Sequence, residues 1–144
     1  MVKIEIGGGT LLTPGFVNLD PEHGHGVWRR KVQEGIPAEA ATVDEVKASH
    51  VLEHIPAGSE RIGVFNEAHR VLKPGGVFYV IVPLMTGSWH AIADPTHVSF
   101  WVPESFLYFD GTFAANASYG IALWRTLSTE TLHGFEYHWK GTPA

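Results

Sequence analysis

An apolar strand that runs directly into three glycines constrains the fold of this chain more than any other feature. Ile4-Glu5-Ile6 precedes Gly7, Gly8 and Gly9, and a second apolar run from Phe16 to Leu19 ends at Asp20. Consecutive glycines permit left-handed backbone conformations and let a ligand approach the main chain. A carboxylate at a strand end is placed to accept the hydroxyls of a ribose. The segment predicts a nucleoside-binding turn; a flexible turn without a ligand is the competing interpretation.

Two further points bear on this turn. Glu5 lies between two isoleucines in a predicted central strand, where an unpaired charge is costly, so we expect a cationic or donor-rich partner for it. A dinucleotide-binding motif is disfavoured, because it needs the spacing G-x-G-x-x-G at the start of a helix and an acid about 20 residues later. Here Pro14-Gly15 interrupts any helix and Asp20 comes too early.

Composition limits the class of protein. The chain has 144 residues, which predicts a single domain over residues 1–144 with one core. The net charge is -5 and the basic run Arg29-Arg30-Lys31 is short, so general nucleic-acid binding is not expected. There is no cysteine, which excludes thiolate metal sites and cysteine nucleophiles. No stretch reaches the roughly 18 apolar residues of a membrane helix, and we expect a cytoplasmic protein without membrane contact.

The pattern along the chain predicts alternating strands and helices. Residues 43–49 indicate a strand, and Gly58-Ser59-Glu60 begins a predicted amphipathic helix that Lys73-Pro74-Gly75-Gly76 ends. The apolar run Val77 to Val82 predicts a buried strand, so strand, helix and strand form a parallel crossover.

The last third of the chain predicts a terminal antiparallel hairpin. Its strands are expected at Ile121 to Leu127 and Phe135 to Trp139, with a polar link around Ser128 to Glu130. Before the hairpin, aromatic residues cluster between Phe100 and Phe113. We interpret this cluster as part of the core or as a dimer face; a lid over the site is the less favoured interpretation. Pro103 is expected to start a short helix.

Taken in order, these motifs resemble the class I S-adenosylmethionine-dependent methyltransferases, in the subgroup of small methyltransferase-domain proteins. The resemblance rests on five segments: Ile4 to Gly9, Asn18-Leu19-Asp20, Ala48 to Ile55, Arg70 to Gly76, and Asp94-Pro95-Thr96-His97. It implies an α/β, Rossmann-like, mostly parallel twisted sheet with helices on both faces and a C-terminal antiparallel strand, in a shortened form.

The resemblance also implies a cofactor, S-adenosylmethionine, and the residues that bind it. Gly7, Gly8 and Gly9 would pass under its methionine and ribose, Glu5 would help bind its amino-acid end, and Asp20 would hold its ribose hydroxyls. Ser49 and His50, at the end of the strand that this family numbers fourth, would line the same pocket.

Two segments depart from the family pattern. Thr10 to Gly15 leaves room for a turn where many members have a helix, and Val32-Gln33-Glu34 stands where many carry an acid that contacts adenine. These departures favour an alternative: a non-catalytic methyltransferase-like binding module with weak or lost cofactor binding. A nicotinamide-dependent oxidoreductase is a third hypothesis, which the glycine spacing disfavours.

Candidate catalytic residues follow the predicted site strands. His54 and His97 are placed to face one cleft, and Asp94 is placed to orient an imidazole. These residues are therefore candidates for a general base or for contact with the substrate; a purely structural role is the alternative. A metal site formed by these three residues, or by His23 and His25 in a glycine-rich loop, is disfavoured, and no metal is expected. The predicted acceptor is a small molecule or glycan-type substrate with an oxygen or nitrogen nucleophile; a homodimer is left open.

Overall fold

The computed structural model describes residues 1–23, 28–87 and 89–144, which form a six-stranded mixed sheet. The strands are β1 Lys3–Ile6, β2 Val17–Leu19, β3 Val43–Ser49, β4 Leu72–Pro83, β5 Trp124–Leu132 and β6 Glu136–Pro143. The helices are α1 Ser59–Val71, the one-turn α2 His90–Ala93 and α3 Ala115–Ser118, and the 3₁₀ helices Val32–Glu34, Leu52–His54 and Pro103–Tyr108. None of the helices in these residues is both long and apolar enough to cross a membrane.

The strand order is β2-β1-β3-β4-β6-β5, and three of the five strand pairs are parallel. Of the six described strands, β6 alone runs opposite to the rest, since it pairs antiparallel with both β4 and β5. The predicted α/β sheet with a C-terminal antiparallel strand is therefore confirmed.

The sheet has one strand fewer before α1 than the family numbering implies. The strands on either side of α1 are the third and fourth of this chain rather than the fourth and fifth. Between Asp20 and Thr42, the described residues contain a single parallel bridge from Leu19 to Trp28 and one 3₁₀ helix. β2 is therefore the edge strand on this side of the sheet.

Helix α1 forms where the sequence predicts it, but its buried face differs from the expected one. The sequence places Ile62, Phe65, His69 and Leu72 on the apolar stripe, whereas the buried residues are Val64, Phe65, Ala68 and Val71. The helix ends at Val71 and Leu72 already belongs to β4. His69 remains at the margin of the core, where its Nε2 donates to the Leu123 carbonyl at 3.1 Å.

The C-terminal hairpin is confirmed, but its connection is not where the polar residues are. Ser128 to Glu130 lie inside β5, and the turn is at His133 and Gly134, both with positive φ. β5 is an edge strand that is largely exposed, so polar side chains are compatible with it. Lys73 to Gly76, which the sequence predicts as the turn that ends the helix, likewise lie within a strand. They belong to β4, next to a shift in its register with β3.

Most of the predicted aromatic cluster lies in the core. Trp101, Phe106 and Phe109 are buried and pack around Phe65 of α1 together with aromatic residues of β4, β5 and β6. The preferred interpretation of these residues as core is confirmed for these three. The predicted short helix after Val102 is the 3₁₀ helix Pro103–Tyr108.

Candidate functional site

A cleft of about 590 Å³ opens where β1, β2 and β3 end. The register pairs Ile6 with both Leu19 and Ala48, so the residues that follow the three strands meet at one edge of the sheet. Ligands of open α/β sheets bind beyond these carboxyl ends, and the volume is that of an ordinary small-molecule site. The lining comes from the ends of the strands, the 3₁₀ helix after β2, the segment after β3 and the loop after β4: Gly7, Gly9, Asp20, His23, Lys31, Val32, Gln33, His50, Val51, His54, Ile55 and Thr96, among others.

The glycine turn forms the floor of this cleft. Gly7 has φ +66° and its N–H donates to the Leu19 carbonyl at 2.8 Å, which ties β1 to β2. A Cβ on Gly7 would lie 2.1 Å from Val51 Cγ2, and one on Gly8 would lie 2.7 Å from Asn18 Oδ1. The predicted left-handed backbone is present at Gly7 and Gly9, and the close neighbours of Gly7 and Gly8 are the Val51 and Asn18 side chains.

Asp20 is buried at the rim of the cleft and is held by the main chain. Its carboxylate accepts the N–H groups of Gly9 at 3.0 Å, Glu22 at 2.8 Å and His23 at 2.9 Å. Burial alone would raise the pKa of this carboxyl, but these three donors outweigh it and hold the pKa below its usual value. Asp20 is therefore ionised and faces the cleft as a preoriented hydrogen-bond acceptor.

Glu5 is buried as expected, and its donor-rich partner is part of the chain. Its carboxylate accepts the Thr13 N–H at 3.1 Å and the Thr13 hydroxyl at 2.9 Å, and Lys47 Nζ lies 3.2 Å from it. Glu5 thereby fixes the turn between β1 and β2 from behind the cleft. Glu5, Gly8 and Ser49 do not line the cleft in the described residues, unlike Gly7, Gly9, Asp20 and His50.

His50 follows β3 with φ +53° and lies between two carboxylates. Its Nδ1 is 3.6 Å from Glu53 Oε1 and its Nε2 is 3.0 Å from Glu136 Oε2. The nearby Glu53 carboxylate raises the pKa of His50; burial opposes this, and Glu136 adds to the increase. The lining of the cleft therefore includes an imidazole whose pKa is raised above its ordinary value.

The three candidate catalytic residues lie together but in different environments. His54 lines the cleft, and its ring meets the His97 ring edge-on with centroids 4.8 Å apart. His97 is behind it, with its Nδ1 2.9 Å from the Ala91 carbonyl. Asp94 is exposed and accepts the Thr96 N–H at 2.8 Å and the Thr96 hydroxyl at 2.6 Å, so it shapes the loop that carries His97.

Sequence reasoning missed two residues of this region. Glu53 is 2% exposed, and its position between His50 and His54, in the segment that follows a predicted strand, was the available signal. Glu136 contacts His50 from a distance of 86 positions along the chain, for which no sequence pattern gave a signal. His25 of the glycine-rich loop lies outside the described residues.

Comparisons with known proteins agree with this geometry. Residues 15–80 match the family model described as a methyltransferase domain. The match covers β2, β3, α1 and most of β4 but excludes the glycine turn. The predicted resemblance to the class I methyltransferases is confirmed. No curated protein sequence matches the chain significantly.

Solved structures share the methyltransferase fold at low sequence identity. A putative methyltransferase of Haloferax volcanii, solved with the activator Trm112, has a TM-score of 0.68 at 12% identity, over 99% of this chain and 81% of that one. A SAM-dependent methyltransferase from Aquifex aeolicus gives 0.66 at 13% identity, over 100% and 82%. The mitomycin 7-O-methyltransferase MmcR gives 0.71 at 15% identity, over 99% of this chain and 49% of that one.

Proposed function

We propose that this methyltransferase-fold chain transfers the methyl group of S-adenosylmethionine to an oxygen or nitrogen of a small-molecule or sugar-type acceptor. One observation carries the proposal: a preoriented carboxylate, a glycine floor and three histidines converge on one cleft at the carboxyl ends of the parallel strands. The methyltransferase family match and the SAM-dependent neighbour of the same fold support the choice of cofactor.

The cofactor is placed with its ribose at Asp20. A carboxylate has about four lone-pair positions, and three of those of Asp20 are engaged by backbone N–H groups, so one strong acceptor position is left for a ribose hydroxyl. The methionine end then lies over Gly7 and Gly9. We assign supporting roles to Gly8 and Glu5, which hold the shape of the turn, and to Ser49, which ends β3 below His50.

The adenine end is placed against the 3₁₀ helix Val32–Glu34. Val32 and Gln33 line the cleft on that side, with Lys31 beside them. The apolar Val32 offers a surface for a purine ring, and the Gln33 amide both donates and accepts hydrogen bonds. Gln33 thus replaces the acid that many family members carry for adenine recognition.

The acceptor is placed at His54. Methyl transfer from a sulfonium is a direct displacement, so the chain must align the nucleophile with the methyl carbon and, for an alcohol, remove its proton. His54 lines the cleft and is the group proposed to contact the acceptor. Asp94 and His97 act behind it, in the loop that contains Thr96. Asp94 holds Thr96, and Thr96 contacts the His54 ring. A cytoplasmic location belongs to this proposal and rests on the sequence alone.

Calorimetric titration with S-adenosylmethionine and S-adenosylhomocysteine tests the proposal. We expect one site per chain for each ligand, weakened by Asp20→Ala. Asp110→Ala is the matched control, because Asp110 also accepts a backbone N–H in a loop, that of Thr112 at 3.0 Å, but does not line the cleft. Absence of heat from either ligand at millimolar concentration would sink the proposal.

A non-catalytic binding module is the second candidate function. It is favoured by Glu5 and Asp20, whose carboxylates already have partners within the chain. This alternative predicts cofactor binding without methyl transfer to any acceptor in a broad panel of alcohols, amines and sugars. Methyl transfer by the wild-type chain that is lost in His54→Ala would contradict the binding module and support the methyltransferase.

A further inference from the structure

Three residues beside the cleft are arranged as ligands of a metal ion. Glu53 and His54 come from the 3₁₀ helix after β3, and His97 comes from the loop after β4. Each offers one ligand atom, and the three atoms lie within 4.8 Å of one another. A single cation that binds all three must lie between two segments separated by more than 40 positions in sequence.

Hydrogen bonds to the chain fix which ring nitrogen of His97 and His54 carries the proton. The other nitrogen of His97, Nε2, has Asp94 Oδ2 3.6 Å away, beyond hydrogen-bond distance. His97 Nδ1 faces the Ala91 carbonyl, which can only accept, so Nδ1 carries the proton. His54 Nδ1 faces two oxygens of Thr96, the carbonyl and the hydroxyl, each at 3.2 Å. The Thr96 hydroxyl gives its proton to Asp94, so both oxygens act as acceptors toward His54. In the neutral rings both Nε2 atoms therefore bear a lone pair, the arrangement that ligating histidines adopt.

Glu53 supplies the negative charge. Its side chain is 2% exposed, and Oε2 has no hydrogen-bond partner among the described residues. The other oxygen has His50 Nδ1 at 3.6 Å, beyond hydrogen-bond distance. A buried carboxylate oxygen without a donor is unfavourable unless a cation or a donor satisfies it.

The two segments that carry the ligands are held together by the main chain. The Glu53 carbonyl accepts the N–H groups of Val98 at 2.9 Å and Ser99 at 3.1 Å, and the Ser99 hydroxyl donates to the Leu52 carbonyl at 2.9 Å. His97 directly precedes this pair of bonds. The three side chains are thus positioned before any ligand arrives, as a binding site requires.

We propose that Glu53, His54 and His97 bind one divalent transition-metal ion of the zinc class. Two imidazoles and one carboxylate suit Zn²⁺ and its neighbours, whereas Mg²⁺ and Ca²⁺ prefer oxygen ligands. His54 lines the cleft, so the ion keeps an open coordination position toward it, as catalytic zinc sites do. With the ion bound, the His54 imidazole would hold the ion, and the ion would take the place beside the acceptor that is assigned above to His54.

Titration of the untagged full-length chain with ZnCl₂, after chelator treatment and at pH 7.5, tests the proposal without S-adenosylmethionine. We expect one Zn²⁺ per chain, with affinity reduced more than about tenfold by Glu53→Gln and by His97→Gln, the loss that even a supporting contact to a ligand costs. Co²⁺ in place of Zn²⁺ should give visible d–d bands that these variants lose. Circular dichroism establishes that each variant is folded.

Two matched controls separate this site from others. Glu136→Gln removes the second carboxylate beside His50, and His25→Gln removes a histidine of the glycine-rich loop; both should retain the zinc site. No Zn²⁺ binding by the wild-type chain overturns the proposal. So does binding that survives Glu53→Gln and His97→Gln, or that is lost in His25→Gln alone. Because the metal is titrated without cofactor, absence of Zn²⁺ binding does not contradict the cofactor proposal. Absence of S-adenosylmethionine binding, in turn, does not contradict the metal site.

Discussion

His50 Nε2 lies 3.0 Å from Glu136 Oε2, which joins the residue after β3 to the first residue of β6. Glu136 also accepts from His138 Nε2 at 2.7 Å, and His138 Nδ1 meets the Tyr79 hydroxyl at 2.5 Å. A chain of polar contacts therefore runs from the wall of the cleft across the antiparallel half of the sheet. It couples the proton on His50 to the C-terminal hairpin.

This contact predicts that Glu136→Gln lowers the pKa of His50. The pKa of His50 is raised by Glu53 and by Glu136, and removing one carboxylate removes part of the increase. A pH titration of the histidine Cε1 resonances by NMR measures it. Glu130→Gln is the control, since Glu130 lies on the neighbouring strand β5 and pairs with His138 in the ladder. An unchanged His50 midpoint in Glu136→Gln would contradict the assignment.

The same contact also makes the free energy of unfolding depend on pH. The folded pKa of His50 is above its unfolded value of about 6.5, so its stabilisation is complete below that pH and is lost as pH rises through the folded pKa. Urea unfolding should therefore show a larger loss for Glu136→Gln at pH 6 than at pH 9.

Gly7→Ala and Gly9→Ala separate backbone strain from steric contact. Both glycines have positive φ, and a non-glycine residue there costs about 1–2 kcal/mol. A Cβ at Gly9 meets nothing within 4 Å, whereas one at Gly7 meets Val51. We expect Gly7→Ala to destabilise the chain by about 1–3 kcal/mol more than Gly9→Ala in urea unfolding. Equal losses would show that Val51 gives way.

Asp20→Asn tests the carboxylate at the cleft. The folded pKa of Asp20 is lowered, so its stabilisation is present above its ordinary pKa near 3.8 and is lost as pH falls through the folded value. We expect a loss of about 1–3 kcal/mol at pH 7 that shrinks toward acid, because an amide oxygen replaces a charged acceptor. Stability curves from pH 2 to 7 measure it. A difference that does not vary with pH would rule out this origin.

Local patterns were sufficient to predict most of the fold. β1 is an apolar run that ends at a glycine, β3 mixes β-branched and polar residues, and α1 repeats apolar residues at spacings of three and four; each forms where predicted. The hairpin turn was misplaced because β5 is an exposed edge strand whose polar residues look like a link. The missing strand before α1 left no signal, since one bridge at Trp28 replaces it.

The site was predictable where its residues directly follow strands. Gly7, Asp20 and His50 are such residues, and they meet because parallel strands end at one edge. Glu5 was expected to face a ligand, yet Lys47 and Thr13 of this chain satisfy it. Pairing partners that come from distant strands, such as Glu136 for His50, depend on sheet order, which residue patterns do not encode.

Amide NMR of the labelled chain, titrated with S-adenosylhomocysteine, tests whether the cofactor binds at the ends of β1, β2 and β3. We expect saturable shifts at Gly7, Gly9, Asp20, Gln33 and His50. We expect none at the separate pocket of about 310 Å³ lined by Arg61, Tyr108 and Ile121. Shifts confined to that second pocket, or no shifts at millimolar ligand, would contradict a cofactor site at the ends of β1, β2 and β3.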